Sequence, residues 1–143
     1  MTKIPSGSVI GIIGGGQLGR MTADAARKLG FKTHIYSPDA DAPAKQISDF
    51  KTTAAYEDKQ KLSEFAKSVS VVTFEFENIP YNTLKFLQEQ TIVRPNPKAL
   101  HVSQNRVREK ELAKSVGAST APFFAISGSD GISQAFKKIG NGK

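Results

Sequence analysis

Val9-Ile10-Gly11-Ile12-Ile13-Gly14-Gly15-Gly16-Gln17-Leu18-Gly19-Arg20 runs from an uncharged apolar stretch through a glycine-rich bend into a helix-compatible sequence. Val9 to Ile13 suits a buried strand. Gly14, Gly16 and Gly19 follow at G-x-G-x-x-G spacing, so the chain can turn tightly and another group can approach the backbone closely. A helix that starts behind such a loop aims unpaired N–H groups and the positive end of its dipole at whatever lies there. A phosphate is the guest this chemistry favours. The same glycines would also serve a bare strand-to-helix turn. A nicotinamide dinucleotide is a further reading, because Asp39 stands 20 residues past Gly19, near the end of the next strand, where an acid can hold a ribose. That reading requires a hydride-transfer domain, and residues 97 to 143 do not begin one.

Outward from the loop, strand-like runs alternate with helical periods, the pattern of βαβ units and a parallel sheet. Leu18, Met21, Ala25 and Leu29 place an apolar stripe on a first helix that Gly30 ends. Strands are expected at Thr33–Tyr36, briefly at Thr52–Ala54, at Val71–Phe74 and at Ile92–Val93, with a polar loop from Ser37 to Pro43. Leu62, Phe65 and Val69 mark one helix, and Pro80 opens another that buries Leu84 and Leu87. With Val9–Ile13 this makes a five-stranded, doubly wound, Rossmann-like α/β sheet over residues 1–97, closed by Pro95-Asn96-Pro97. Residues 98–143 change character. They read as a charged helix from about Val102 to Val116, a strand near Phe123–Ile126, an amphipathic helix carrying Ile132, Phe136 and Ile139, and a turn at Ile139–Lys143. That set cannot bury its own apolar faces and is expected to be the start of an incomplete second domain.

The fourth strand ends in Thr73-Phe74-Glu75-Phe76-Glu77-Asn78-Ile79-Pro80. In extended backbone Glu75 and Glu77 would share one side and the phenylalanines the other. Ligands of open α/β sheets sit at the carboxyl edge, which brings these acids beside the glycine loop. A carboxylate there can accept hydrogen bonds from ribose hydroxyls or an amine. A solvated strand end is the plainer alternative. The pair alone makes no metal site, since no third ligand stands nearby.

With 143 residues, 38% hydrophobic and 23% charged, the chain can bury one core. No cysteine occurs, which excludes disulfides, thiolate metal sites and a thiol nucleophile. There is no signal-peptide pattern and no apolar run of membrane-spanning length, so a cytoplasmic protein without a membrane partner is expected. A net charge of +7 invites a nucleic-acid partner. The basic residues, however, are interspersed with acids and lack interleaved aromatic platforms, so no nucleic acid is expected and a small anion fits better. His34 and His101 have no partner pattern and are read as structural.

Gly14-Gly15-Gly16-Gln17-Leu18-Gly19-Arg20-Met21, Thr73 to Pro80, and Pro95-Asn96-Pro97-Lys98-Ala99-Leu100 followed by Gln104-Asn105-Arg106 and Glu109-Lys110 resemble the N5-carboxyaminoimidazole ribonucleotide synthetase family of the ATP-grasp superfamily. The resemblance covers nearly the whole chain and rests on three motifs in order. It implies a Rossmann-like pre-ATP-grasp domain followed by the first part of an ATP-grasp domain. It also implies a reaction: ATP-driven carboxylation of aminoimidazole ribonucleotide by bicarbonate, with Mg2+ on the ATP phosphates, in purine biosynthesis. For the residues, it implies ribonucleotide binding by Gly14, Gly15, Gly16, Gln17, Leu18, Glu75 and Asn78, with the loop on the phosphate and Glu75 on the ribose or amine. Arg106 matches an arginine that reaches the ATP phosphates, a task suited to its planar fork of donors. Similar enzymes are commonly homodimers. The family's nucleotide-holding lysines and magnesium-binding acids are expected beyond Lys143, so this chain by itself is expected to carry no catalytic residue and no ligase activity.

Overall fold

Neighbouring residues on a strand point to opposite faces, and in β1 (Val9–Ile13) that alternation sets the layers. Ile12 packs with Ala23, Ile35 and Ala44 on one face, while Ile13 joins Tyr36, Leu62, Phe65, Val72, Leu84 and Val93 on the other. Both isoleucines are fully buried. The computed structural model describes residues 3–140, without the side chain of residue 130.

The chain runs β1, α1 (Gln17–Lys28), β2 (Lys32–Ser37), a 3-10 turn (Pro43–Gln46), β3 (Phe50–Thr53), α2 (Lys59–Ser68), β4 (Val71–Phe74), α3 (Tyr81–Gln88), α4 (Pro97–Ser103), α5 (Arg106–Ser115) and α6 (Asp130–Ile139). The strands form one parallel sheet in the order β3-β2-β1-β4. The sheet has four strands where five were expected. Ile92–Val93 makes a single parallel bridge to Val72, with Val72 N donating to Ile92 O and Arg94 N to Val72 O, both at 2.8 Å. Too little chain lies between the end of α3 and Pro95 for more than that bridge, since proline offers no N–H to a ladder.

α1 differs from its expected orientation. Leu18, Met21 and Leu29 are exposed, and the residues turned inward are Gly19, Ala23 and Ala26. A Cβ on Gly19 would stand 3.0 Å from Gly14 O and 2.8 Å from Glu75 Oε2, so the helix lies too near the loop for anything but small residues on that side. Gly30, at φ +80°, closes the helix, with its N–H on Arg27 O and that of Phe31 on Ala26 O.

The compact units part between Gln104 and Asn105. Leu100 of α4 belongs to the core of the first unit, and Gln104 Nε2 donates to Glu77 O at 2.8 Å and to Ile79 O at 2.7 Å. The single helix expected over Val102–Val116 is therefore two. Gln104 is tied back to the first unit, and Asn105 starts a new helix by accepting from Val107 N and Arg108 N. In the second unit α5 buries no residue. Lys110 and Lys114 lie over the Phe123 ring at 5.1 and 4.6 Å. The strand expected near Phe123–Ile126 has no ladder partner among the described residues and is not formed. The turn expected over Ile139–Lys143 runs outside the described residues, as does Lys143.

Candidate functional site

The order β3-β2-β1-β4 means that the chain leaves β1 toward β2 on one side, while β4 flanks β1 on the other. A crevice opens where these connections diverge, at the carboxyl ends of β1 and β4, and such switch points are where open α/β sheets hold ligands. The loop Gly14–Gly16 and Glu75 are the two lips of that crevice. Gly14 N donates to Tyr36 O at 2.9 Å, Glu75 N to Ile13 O at 3.0 Å and Ala44 N to Gly15 O at 2.9 Å, so the backbone of each lip is fixed to its neighbours.

Within the crevice the Glu75 carboxylate lies on the loop itself. Its Oε2 accepts from Gly16 N at 2.7 Å. A Cβ on Gly14 would stand 2.8 Å from Glu75 Cβ and also from Oε2, and one on Gly16 would collide with Oε1. The glycines therefore give one half-buried carboxylate access to the amides at the head of α1. Gly14 also takes φ +107°, which L side chains rarely adopt. A hydrogen bond of this charged kind contributes about 1.5–3 kcal/mol.

Glu77 does not share this position. The strand ends at Phe74, and Glu75 follows in a bend, so the alternation that would have put both acids on one side no longer applies. Glu77 and Asn78 are exposed in the turn that Gln104 braces. Gln17 and Leu18 open α1 with exposed side chains, and helix geometry leaves their amides without intrahelical partners. The structure thus brings together Gly14, Gly15, Gly16, Gln17, Leu18 and Glu75, and leaves the Asn78 side chain in solvent. Arg106 belongs to the second unit. There its Nη1 bonds Glu109 Oε2 at 2.8 Å along one face of α5, and the side chain is 80% exposed.

Asp39 is turned to its own loop: Oδ1 accepts from Asp41 N at 2.9 Å, and its carbonyl oxygen accepts from Lys45 Nζ. A Cβ on Gly15 would collide with Ala42 Cβ. The Asp39 carboxylate is engaged within its own loop and is not held free for the ribose of a dinucleotide. Lys45 itself is buried, and also donates to Ser37 O at 2.9 Å and Thr53 Oγ1 at 2.8 Å. Burial holds its pKa below the usual lysine value.

Two residues at the site carry no motif and escape a sequence reading. Ser37, buried at the end of β2, lies against Gly15. Tyr56, just past β3, stacks its ring on Tyr36; burial raises its pKa, and the Glu75 charge adds to the rise. Both stand where strands reach the carboxyl edge, and that placement is the one signal that could have found them. A separate cavity of about 190 Å³ between α2 and α3, lined by Tyr56, Leu62, Pro80 and Phe86, includes neither Glu75 nor a loop glycine. Among the described residues no group of three or more His, Cys, Asp or Glu could hold a metal ion. No helix of the described residues is long and apolar enough to cross a membrane.

Residues 8–104 match the family model of the ribonucleotide synthetase preATP-grasp domain. The chain belongs to that family. The chain is similar to the N5-carboxyaminoimidazole ribonucleotide synthase of Brucella melitensis, 42% identical over 97% of this chain and 38% of that protein. Among solved structures it is similar to the Staphylococcus aureus N5-carboxyaminoimidazole synthetase complexed with ADP, with TM-score 0.89 and 36% identity over 98% of this chain and 38% of that one. The Aspergillus clavatus N5-carboxyaminoimidazole synthase, in complex with ADP and 5-aminoimidazole ribonucleotide, matches with TM-score 0.83 and 26% identity over 94% of this chain and 37% of that one. The chain thus spans little more than a third of the length of these relatives.

Proposed function

We propose that this preATP-grasp unit forms the ribonucleotide-reading end of an ATP-dependent ligase that carboxylates 5-aminoimidazole ribonucleotide with bicarbonate, giving the N5-carboxyamino product in purine biosynthesis in the cytoplasm. The observation that carries the reading is the Glu75 carboxylate seated on the glycine loop at the switch point. The Aspergillus relative, crystallised with the ribonucleotide, supports the choice of ligand.

The residues divide the work by charge. Glu75 already accepts from Gly16 N, so a phosphate at that amide would meet a carboxylate of like charge. The amides of Gln17 and Leu18, one step along α1, are better placed for the phosphate because the helix dipole favours an anion there. A carboxylate is an acceptor alone, and Glu75 suits the neighbouring hydroxyls of a ribose or the amine. Asn78 is assigned a peripheral contact from the turn that follows. ATP, with Arg106 among its contacts, and Mg2+ would be held mainly by residues outside this chain. The described residues offer no cluster for the metal, and the chain alone is expected to be inactive. Dimerisation would likewise belong to the complete enzyme.

The test is ADP formation by the complete protein that carries this chain, with and without aminoimidazole ribonucleotide and bicarbonate. Turnover should require both. Glu75→Gln, which keeps the shape and removes the charge, should raise KM for the ribonucleotide at least tenfold while moving KM for ATP less than twofold. An equal effect on both substrates, or none on either, refutes the assignment.

A further inference from the structure

β4 stops at Phe74, one residue before the carboxylate that lies on the glycine loop. Glu75 N still reaches Ile13 O at 3.0 Å, but the ladder ends there and the chain enters a turn over residues 75 to 79. That turn has little of its own to hold it. Its far end is secured by the buried Ile79 side chain, Ile79 N reaches Phe76 O only at 3.5 Å, and Pro80 has no N–H to give. The place of Glu75 is therefore set in part from outside the turn.

Gln104 supplies that hold. Its Nε2 donates to Glu77 O at 2.8 Å and to Ile79 O at 2.7 Å, across 27 and 25 residues of sequence. Both partners are carbonyl oxygens, which only accept, so the side-chain amide must present its nitrogen, and it commits both N–H groups to the turn. The donor is itself fixed. Gln104 N bonds Leu100 O at 3.0 Å, and Leu100 is buried in the core. The His101 ring meets that of Tyr81, the first residue of α3, with centroids 4.7 Å apart. Gln104 is nonetheless an exposed residue, so water can replace its amide at modest cost to the fold. What its two bonds specify is where the turn stands.

We propose that Gln104 is a positioning residue of the ribonucleotide site: by bracing the turn after β4 it keeps the Glu75 carboxylate on the glycine loop. It acts through Glu75 and not by touching the substrate. The proposal rests on the ligase reading above.

The test uses the complete enzyme, with steady-state kinetics in both substrates and a melting temperature for each variant. Gln104→Met keeps the length and removes both donors, and Gln104→Glu keeps the shape but turns a charge on the two carbonyls. Each should raise KM for aminoimidazole ribonucleotide about three- to tenfold, the range of one lost neutral hydrogen bond, with KM for ATP within twofold. The deciding measurement is made in a Glu75→Gln background. There either substitution should add less than twofold, because residues that work through one another do not contribute additively. The full rise in that background, or an unchanged KM in both single variants, overturns this proposal and leaves the ligase reading standing. An equal rise in KM for ATP, or a lowered melting temperature with equal losses at both substrates, makes Gln104 structural and also overturns it. Absence of ribonucleotide-dependent ADP formation in the wild type removes the ligase reading and this proposal together.

Discussion

Acidification should weaken the sheet through one histidine. His34 on β2 is buried, with Nδ1 2.9 Å from Ser68 Oγ, Nε2 2.9 Å from Thr52 Oγ1, and its ring edge-on to Phe65 at 4.8 Å. Ser68 Oγ gives its single hydrogen to Phe65 O at 2.7 Å. It therefore accepts from Nδ1–H, and Thr52 donates to Nε2. This tautomer, assigned from the network, makes Nε2 the site a proton must take. Burial lowers the His34 pKa to about 4, against 6.5 in an unfolded chain. The unfolded state thus binds more protons between those values, and stability falls as pH drops from 6.5 toward 4, then levels off. At ~1.4 kcal/mol per pKa unit the ceiling is about 3 kcal/mol, and at pH 5 about 2 kcal/mol. Residual solvent access to the ring screens the charge and reduces the latter to ~1–2 kcal/mol. Urea unfolding at pH 7, 6 and 5, for the wild type and for His34→Gln, isolates this contribution because the variant keeps the other titrating groups. The wild type should lose the stated amount relative to the variant. Parallel pH profiles for the two proteins, or a His34 pKa near 6.5 by NMR titration, would refute the reasoning.

Two glycines give further tests. Gly16→Ala sets a methyl against Glu75 Oε1; in the complete enzyme it should raise KM for the ribonucleotide tenfold or more with ATP affinity unaffected, and normal binding would mean the carboxylate does not work from this position. Gly11→Ala on β1 would bring its Cβ within 2.6 Å of Phe65 Cζ, an overpacking expected to cost ~1–3 kcal/mol in urea unfolding without altering ribonucleotide affinity in a folded sample.

The sheet was legible because β1 and β4 are β-branched runs bounded by glycine or by polar residues, and the structure has them at Val9–Ile13 and Val71–Phe74. The face of α1 was not. Hydrophobic period weighs apolarity and ignores size, while the closeness of helix to loop admits only Gly19, Ala23 and Ala26. Glu75 was found from its motif, but its separation from Glu77 depends on the strand ending at Phe74, a boundary that pairing with β1 decides. Ser37 and Tyr56 come from two different strand ends that only the sheet order brings to one place. The division of Val102–Val116 likewise turns on Gln104 reaching carbonyls far back in the sequence.

The inward side of α1 also constrains the length of the loop before it. Each residue of a helix advances the rotation by about 100°, so one amino acid added between Gly16 and Leu18 would carry Leu18, Thr22 and Ala25 into the places now held by Gly19, Ala23 and Ala26. The first of those places is bounded by Gly14 O and the Glu75 carboxylate, with no room for a leucine. Substitutions at the exposed start of the helix leave this phasing intact, whereas a change of length by a single residue dismantles the mouth of the crevice.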